Sequence, residues 1–174
     1  MNETLKTLLP MLRRFAYSLT GSKADADDVV QITIEKLLVK GIPDDVEPAK
    51  WAFKICRNVW IDEYRSRKVR QNTAQADVLP EPITSNEHQT LENKQVLKNV
   101  NTALGQLPEE QRAIVSLVAV QGMAYKEVAH TLDIPIGSVM SKLSRARSTL
   151  YNLIKPDFKK EQVWTLTTKH LAPF

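Results

Sequence analysis

The sequence has little of what disulfide frameworks, metal centres and membrane spans require. It contains one cysteine, Cys56, and three histidines among 174 residues, which excludes an internal disulfide and argues against a metal cage. No apolar run approaches the roughly 18 residues of a membrane span, and no secretory signal pattern opens the chain. We therefore expect a cytoplasmic protein without metal, cofactor or membrane insertion, in which Cys56 is a small core hydrophobe.

Catalytic patterns are equally scarce. The sequence shows no Gly-rich phosphate loop and no nucleophile and base pair, so a small helical enzyme is the weakest functional alternative. The formal charge is +4 and the hydrophobic fraction is 43%, which supplies enough apolar residues for a core. The positive charge suits an anionic partner, although an excess of this size decides little alone.

The hydrophobic periodicity is helical almost throughout, and no convincing alternating strand occurs, so the predicted fold class is all-α. The first predicted helix, residues 3–20, is expected to be kinked or divided by Pro10. Its predicted inward residues are Leu5, Leu8, Leu9, Leu12 and Phe15. The later predicted helices cover residues 24–40, 49–70, 91–104 and 108–121, followed by a helical pair.

The composition changes sharply over residues 71–90, which are polar, contain two prolines and lean acidic. This change predicts a flexible linker between two small helical domains, residues 1–70 and 91–154, whose spacing the linker leaves undefined. The tail, residues 155–174, has mixed composition and receives no predicted role.

Residues 123–154, MAYKEVAHTLDIPIGSVMSKLSRARSTLYNLI, have the pattern of a helix-turn-helix. A short helix leads through residues 133–135 into a longer helix with no acidic residue. The apolar stripe of the longer helix is Val139, Leu143, Ala146, Leu150 and Ile154. Its other side has small residues and cations, which permit close approach to a DNA groove. A plain helical hairpin with a solvated face is the alternative.

The third predicted helix is locally basic. Between Lys50 and Arg70 there are seven Lys or Arg residues against Asp62 and Glu63. One face is predicted to be core: Ala52, Ile55, Cys56 and Val59. Another face combines cations with aromatic and aliphatic groups: Lys54, Arg57, Ile61, Tyr64, Arg65 and Lys68. Cations hold phosphates and flat groups stack on bases, so this face suits an unstacked nucleic-acid strand, with a basic solvated face as the alternative.

The second predicted helix carries an acidic, amide-bearing strip formed by Asp28, Gln31 and Glu35. Such a strip repels DNA and suits a protein partner that presents Arg and Lys. Most strips of this kind are only solvent faces, and the sequence alone leaves both interpretations open.

Three motifs together resemble regions 2 and 4 of bacterial sigma-70-type initiation factors. They are DADDVVQITIEKLL, WAFKICRNVWIDEYRSRK and LPEEQRAIVSLVAVQGMAYKEVAHTLDIPIGSVMSKLSRARSTL, in the family's order and at roughly its spacing. The short form, without region 1 or a full region 3, is similar to the extracytoplasmic-function (ECF) group. The resemblance implies a transcription initiation factor whose partners are core RNA polymerase, promoter DNA and an anti-sigma protein.

The resemblance also implies roles for particular residues. Asp28 and Gln31 match the family's polymerase-docking signature, and we add Glu35 from the same strip. The positions that match the family's −10-binding helix are Arg57, Asn58, Asp62 and Arg65. The basic face of the third helix adds Lys54, Tyr64 and Lys68 as implied −10 contacts. The groove-facing positions implied for the −35 element are Ser138, Ser141, Lys142 and Arg145. Residues 41–48 correspond to the loop that receives a flipped −10 base.

Some positions depart from the family pattern. Ile32 replaces a usual Glu, Met140 a frequent Lys or Arg, and Val118 a frequent Arg, while residues 41–48 contain no aromatic group. These departures weaken any prediction of the promoter sequence. A stand-alone helix-turn-helix repressor is the main rival, but it explains neither the acidic strip nor the basic helix before the linker, and no dimer interface is visible.

Overall fold

The computed structural model describes the backbone of residues 2–73 and 91–154, and the side chains of residues 3–67 and 98–154. Every regular element in these ranges is a helix, which confirms the all-α class. The helices are α1 Asn2–Thr20, α2 Lys23–Lys40, α3 Pro48–Thr73, α4 Leu91–Gly105, α5 Glu109–Val115, α6 Tyr125–Leu132 and α7 Ile136–Ile154. In these ranges, no helix combines the length and apolar character needed to cross a membrane.

The first half of the molecule consists of α1, α2 and α3, which pack against one another. The edge of the Phe15 ring meets Phe53, with 5.2 Å between ring centroids. Of the two outcomes expected at Pro10, a kink or a division, the division is wrong: α1 runs through Pro10, which is exposed. Leu5 and Leu9 are also only half-buried, because they lie at the edge of the apolar face.

The ends of α2 and α3 follow local chemistry. The Ser22 hydroxyl accepts a hydrogen bond from the Asp25 backbone N–H (3.3 Å), and Gly41 ends α2 at φ 73°. Helix α3 continues to Thr73, three residues into the predicted linker. The rest of that linker, residues 74–90, and the tail, residues 155–174, lie outside the described residues.

The second half contains α4 to α7 and is built around α7. The predicted apolar stripe of this helix is confirmed, since all five of its residues are buried. The predicted helix over residues 108–121 has two parts: α5 is followed by a π-helical turn, Ser116–Val120. In that turn the Gln121 N–H donates to the Ser116 carbonyl five residues earlier, at 3.2 Å.

The two halves pack against each other. Helix α1 contacts α4 and the π-helical turn, and α3 contacts α6. Asn101 Nδ2 donates to the Tyr17 hydroxyl (3.1 Å), and Gln121 Nε2 donates to the Met11 carbonyl (3.3 Å). The halves therefore have a defined mutual arrangement, where the polar linker alone predicted none.

Candidate nucleic-acid interface

The acidic strip on α2 is open to solvent. Asp28, Gln31 and Glu35 lie along it, and Gln31 Nε2 donates to the Glu35 carboxylate at 3.1 Å on the exposed surface. The three side chains share one face because they lie at helical spacings of three and four. The structure thus confirms that the strip exists as an accessible polar surface.

The basic face of α3 is less open than the sequence suggested. Side-chain exposure is 35% for Lys54 and 19% for Arg57, while Arg65 remains 69% exposed. Tyr64 is 40% exposed and Asn58 is exposed. Lys68 lies in α3, but its side chain is outside the described residues.

Ile61 shows why this face differs from a solvated one. The sequence placed Ile61 on the same accessible face as Lys54 and Arg57, yet only 7% of it is exposed. That expectation is wrong, because Ile61 belongs to the buried hydrophobic core. Trp60, on the adjacent face, is also buried, and its ring centroid lies 6.0 Å from the guanidinium carbon of Arg112.

The cations of α3 form ion pairs with acids of the second half. We call Lys50, Lys54, Arg57 and Arg65 the basic stripe, and Glu109, Glu110, Glu127 and Asp133 the acidic surface. The pairs are Lys50 with Glu127 (3.3 Å), Lys54 with Asp133, Arg57 with Glu110 (3.9 Å) and Arg65 with Glu109 (3.6 Å). Each member of the basic stripe therefore has an acidic partner from the other half.

Sequence reasoning missed the acidic surface. Glu109 and Glu110 begin α5, where the positive end of the helix dipole stabilises acidic side chains, so their positions have a local explanation. Glu127 accepts a hydrogen bond from the Ala124 backbone N–H (3.0 Å) at the start of α6. Asp133 occupies the left-handed region at φ 53° in the helix-turn-helix turn. Each acid fits its local helix, and no local signal revealed its distant partner.

The electrostatics of the acidic surface follow from these contacts. The hydrogen bond from Lys54, with its charge, holds the pKa of Asp133 below its ordinary value. The backbone hydrogen bond from Ala124, followed by Lys50, lowers the pKa of Glu127. The hydrogen bond from Lys142 lowers the pKa of Glu110. These carboxylates are therefore charged at neutral pH and remain so into the acidic range.

Arg112 differs from the other cations because it is buried. Only 7% of it is exposed, and burial lowers its pKa to about 10, so it remains charged at pH 7. Its Nε atom has no hydrogen-bond partner among the described residues. The electron-rich face of the Trp60 ring lies near the Arg112 guanidinium. This cation–π contact joins the two halves beside the basic stripe.

The helix-turn-helix forms as predicted, with α6 and α7 joined through residues 133–135. Ser141 and Arg145 are exposed on α7, and Ser138 is half-buried. The Ser141 hydroxyl donates to the Ser138 carbonyl at 3.2 Å, so it lies close to its own backbone. Lys142 forms an ion pair with Glu110 inside the second half. The outer face of α7 thus keeps an accessible cation with small neighbours.

Cys56 is buried, as predicted, and burial raises the pKa of its thiol to about 12. Its sulfur is therefore an inert core group. In the ranges with described side chains, no group of three or more His, Cys, Asp or Glu residues could hold a metal ion.

Two family models match the chain. Sigma-70 region 2 matches residues 4–70, and Sigma-70, region 4 matches residues 97–150. The ECF RNA polymerase sigma factor EcfG of Rhodopseudomonas palustris is 30% identical over 161 residues, which cover 90% of this chain and 86% of that protein. The ECF RNA polymerase sigma factor SigL of Mycobacterium tuberculosis is 34% identical over 141 residues, 78% of each chain.

Solved structures with the same fold span both halves. The sigma factor RpoE of Bartonella quintana, in a co-crystal structure with the anti-sigma factor NepR, has a TM-score of 0.75 and 29% identity. The match covers 90% of this chain and 98% of that one. CnrH, in complex with the cytosolic domain of CnrY, has a TM-score of 0.63 and 25% identity, with 90% and 88% coverage.

Proposed function

The chain belongs to the sigma-70 family of RNA polymerase sigma factors, in its ECF group, and from this we propose which surface performs each step of initiation. It is a transcription initiation factor that binds core RNA polymerase and directs it to promoters; it is not an enzyme. The observation that carries the proposal is that the two region models match, in order, the two helical halves.

Helix α3 reads and helps open the −10 element in this proposal. Lys54, Arg57, Arg65 and Lys68 would hold phosphates, while Asn58 and Tyr64 would contact displaced bases. Unpairing and unstacking cost a few kcal/mol, and stacking on an aromatic ring returns roughly 1 to 3 kcal/mol per base. The exposed Tyr64 and Asn58 support this assignment, since both can receive a base without rearrangement of the first half.

Helix α7 reads the −35 element in the major groove. Arg145 and Lys142 would contact guanine edges or phosphates, and Ser138 and Ser141 would let the backbone approach the groove. The exposure of Ser141 and Arg145 on the side opposite the apolar stripe supports this assignment. Met140 is exposed beside them, and because its side chain is apolar it reduces the number of polar contacts that this face can make.

The acidic strip of α2 docks on core polymerase. Asp28, Gln31 and Glu35 form an accessible polar surface that suits a basic partner and repels DNA. Asp28→Lys should therefore weaken holoenzyme assembly at least tenfold, because one attractive charge becomes repulsive. Titration of labelled core polymerase measures this, with Glu3→Lys, an equal charge change elsewhere in the same half, as control. Equal affinities for the two variants would contradict the docking assignment.

The domain limits remain part of the proposal: region 2 in residues 1–70, a linker in 71–90 and region 4 in 91–154. Residues 155–174 receive no role. We place the protein in the cytoplasm, where its polymerase and promoter partners are found. An anti-sigma protein is proposed as a further partner because the related RpoE structure contains one.

The function is tested by mixing the purified chain with bacterial core RNA polymerase and genomic promoter fragments. Co-elution and new clustered transcription starts are expected, and mapping the starts supplies the −35 and −10 sequences together. Without polymerase, the chain should bind these promoters weakly. Sequence-specific binding by the chain alone, with no association with polymerase at low salt, would instead support a helix-turn-helix repressor.

A further inference from the structure

We propose that Met140, with Ile136 beside it, reads the C5-methyl group of a thymine in the −35 element. This inference rests on the proposed assignment of the −35 element to α7 and deepens it. It makes Met140 a specificity-determining residue that selects promoters by apolar contact. The ligand that this residue recognises is duplex DNA with a thymine at a fixed position of the −35 element.

Ile136 and Met140 form an apolar ridge on the outer surface of α7. Ile136 is 48% exposed and Met140 is 54% exposed, although both side chains are large and hydrophobic. The two residues lie four positions apart, so their side chains are neighbours on one face of the helix. The ridge is separate from the buried apolar stripe, which already packs α7 onto the second half. Core packing therefore does not account for the ridge.

The apolar ridge occupies the part of the helix-turn-helix that meets bases. In such motifs, the N-terminal residues of the second helix contact base edges in the major groove. Ile136 is the first residue of α7 and Met140 is the fifth. The same helix contains no acidic residue and three cations: Lys142, Arg145 and Arg147. This charge favours an anionic surface, which commits the ridge to DNA rather than to an apolar groove of a protein.

The polar groups next to the apolar ridge are engaged within the chain. The Ser141 hydroxyl donates to the Ser138 carbonyl at 3.2 Å. Lys142 forms an ion pair with Glu110. These contacts reduce the number of donors that can read a base beside Met140. Base selection at the start of α7 therefore depends more on the ridge than on hydrogen bonds.

Thymine carries the apolar group that the ridge can recognise. In the major groove, the other bases present only hydrogen-bond donors and acceptors, whereas thymine adds a C5-methyl group. A methionine placed against a donor or acceptor would remove that group from water without replacing its hydrogen bond, which is unfavourable. Placed against the methyl group, the flexible thioether side chain buries apolar surface on both partners. The ridge thus favours thymine over each of the other bases.

The position of the thymine relative to the base contacted by Arg145 follows from helix geometry. Arg145 lies five residues after Met140, which is roughly 7.5 Å along the helix axis. Successive base pairs are about 3.4 Å apart, so the thymine lies within about three base pairs of the base that Arg145 contacts. That base is identified by the sequence preference that Arg145→Ala relaxes.

The test uses holoenzyme assembled from the full chain and core polymerase, with duplex promoter fragments taken from the initiation mapping. Each thymine of the −35 element is replaced in turn by deoxyuridine, which removes only the methyl group and retains base pairing. One replacement should weaken binding of wild-type holoenzyme roughly threefold to fivefold, as the loss of one buried methyl group predicts. Met140→Ala holoenzyme should bind the thymine and deoxyuridine fragments for that position with equal affinity.

The matched control is Leu153→Ala, because Leu153 is an exposed apolar residue in the last turn of α7, away from the ridge. Leu153→Ala holoenzyme should keep the wild-type response to deoxyuridine. An equal response in wild-type and Met140→Ala holoenzymes, or no response to any replacement, overturns the proposal. Weaker assembly of Met140→Ala with core polymerase, with an unchanged response to deoxyuridine, would assign the ridge to polymerase and also overturn it.

Failure of the proposed function gives a different result. A wild-type chain that neither assembles with core polymerase nor initiates on any fragment overturns the proposed function, and the role of Met140 with it. Normal initiation that does not depend on a thymine methyl group overturns only the role of Met140. The behaviour of the wild-type chain therefore distinguishes the two failures.

Discussion

The two candidate DNA-reading helices, α3 and α7, differ in the exposure of their cations. Helix α7 presents Arg145 and Ser141 to solvent, while α3 has Lys54 and Arg57 paired with carboxylates and Ile61 buried. The difference teaches that the protein's own carboxylates can cover cations on one candidate helix, while Arg145 on the other remains accessible.

The largest expected effect comes from removing a buried side chain of the apolar stripe that holds α7 in place. Leu143 is buried in the apolar stripe of α7, so Leu143→Ala should lower the free energy of unfolding by about 2 to 5 kcal/mol. Denaturant titration followed by circular dichroism measures this. The control is Met140→Ala on the exposed side of the same helix, expected to change stability by less than about 0.5 kcal/mol. Equal losses would mean that α7 is not packed as described.

The next largest effect is expected on DNA binding, from a change to an exposed side chain of α7 that leaves both halves folded. Arg145→Ala should weaken −35 binding by holoenzyme by roughly 1 to 3 kcal/mol and relax sequence preference at the contacted base. Competition binding with promoter variants reads out both quantities. Arg147→Ala is the matched control, because Arg147 is directed to the Tyr125 hydroxyl at 3.3 Å. An unchanged preference for Arg145→Ala would remove this residue from the −35 interface.

A smaller effect is expected at the contact between the halves. Tyr17→Phe removes the hydroxyl that accepts a hydrogen bond from Asn101, and should destabilise the contact between the halves by about 0.5 to 1.5 kcal/mol. Hydrogen exchange at the contacting surfaces of α1 and α4 provides the measurement. If protection there is the same as in the wild-type chain, this bond does not help to hold the halves together.

The smallest effect concerns pH. The pKa of Asp133, held low by Lys54, and that of Glu127, held low by Ala124 and Lys50, are depressed in the folded chain. These groups stabilise the contact between the halves above their unfolded pKa values, and the contribution is lost as the pH falls through their lowered folded pKa values. Scattering as the pH is lowered from about 7 to about 3 should therefore show expansion mainly below about pH 4. The Glu127→Gln and Asp133→Asn double variant should expand less over this range.

The features that depend on local sequence were predictable. The stripe from Val139 to Ile154 repeats at helical spacing, and the turn through Asp133 and Pro135 limits the choice of geometry between two helices. The accessible strip on α2 follows from the same periodicity. These predictions hold because the signals come from residues within a few turns of one another.

The features that depend on long-range pairing were not predictable. Lys54 and Asp133 lie 79 positions apart, and either residue has an ordinary local interpretation. Ile61 was assigned to an accessible face because periodicity identifies faces but does not say what packs against them. The division of α5 from its π-helical turn also has no counterpart in the hydrophobic pattern.

The central claim is that the two halves pack against each other through the basic stripe of α3 and the acidic surface. The most direct measurement is the distance between spin labels attached to Lys40→Cys and Asn152→Cys, which are exposed positions in opposite halves. Cys56 stays in place because its buried thiol, with a pKa of about 12, is not labelled in the native chain. A single narrow distance distribution is predicted for the free chain; a broad distribution, as expected from two halves joined only by a linker, would contradict the account.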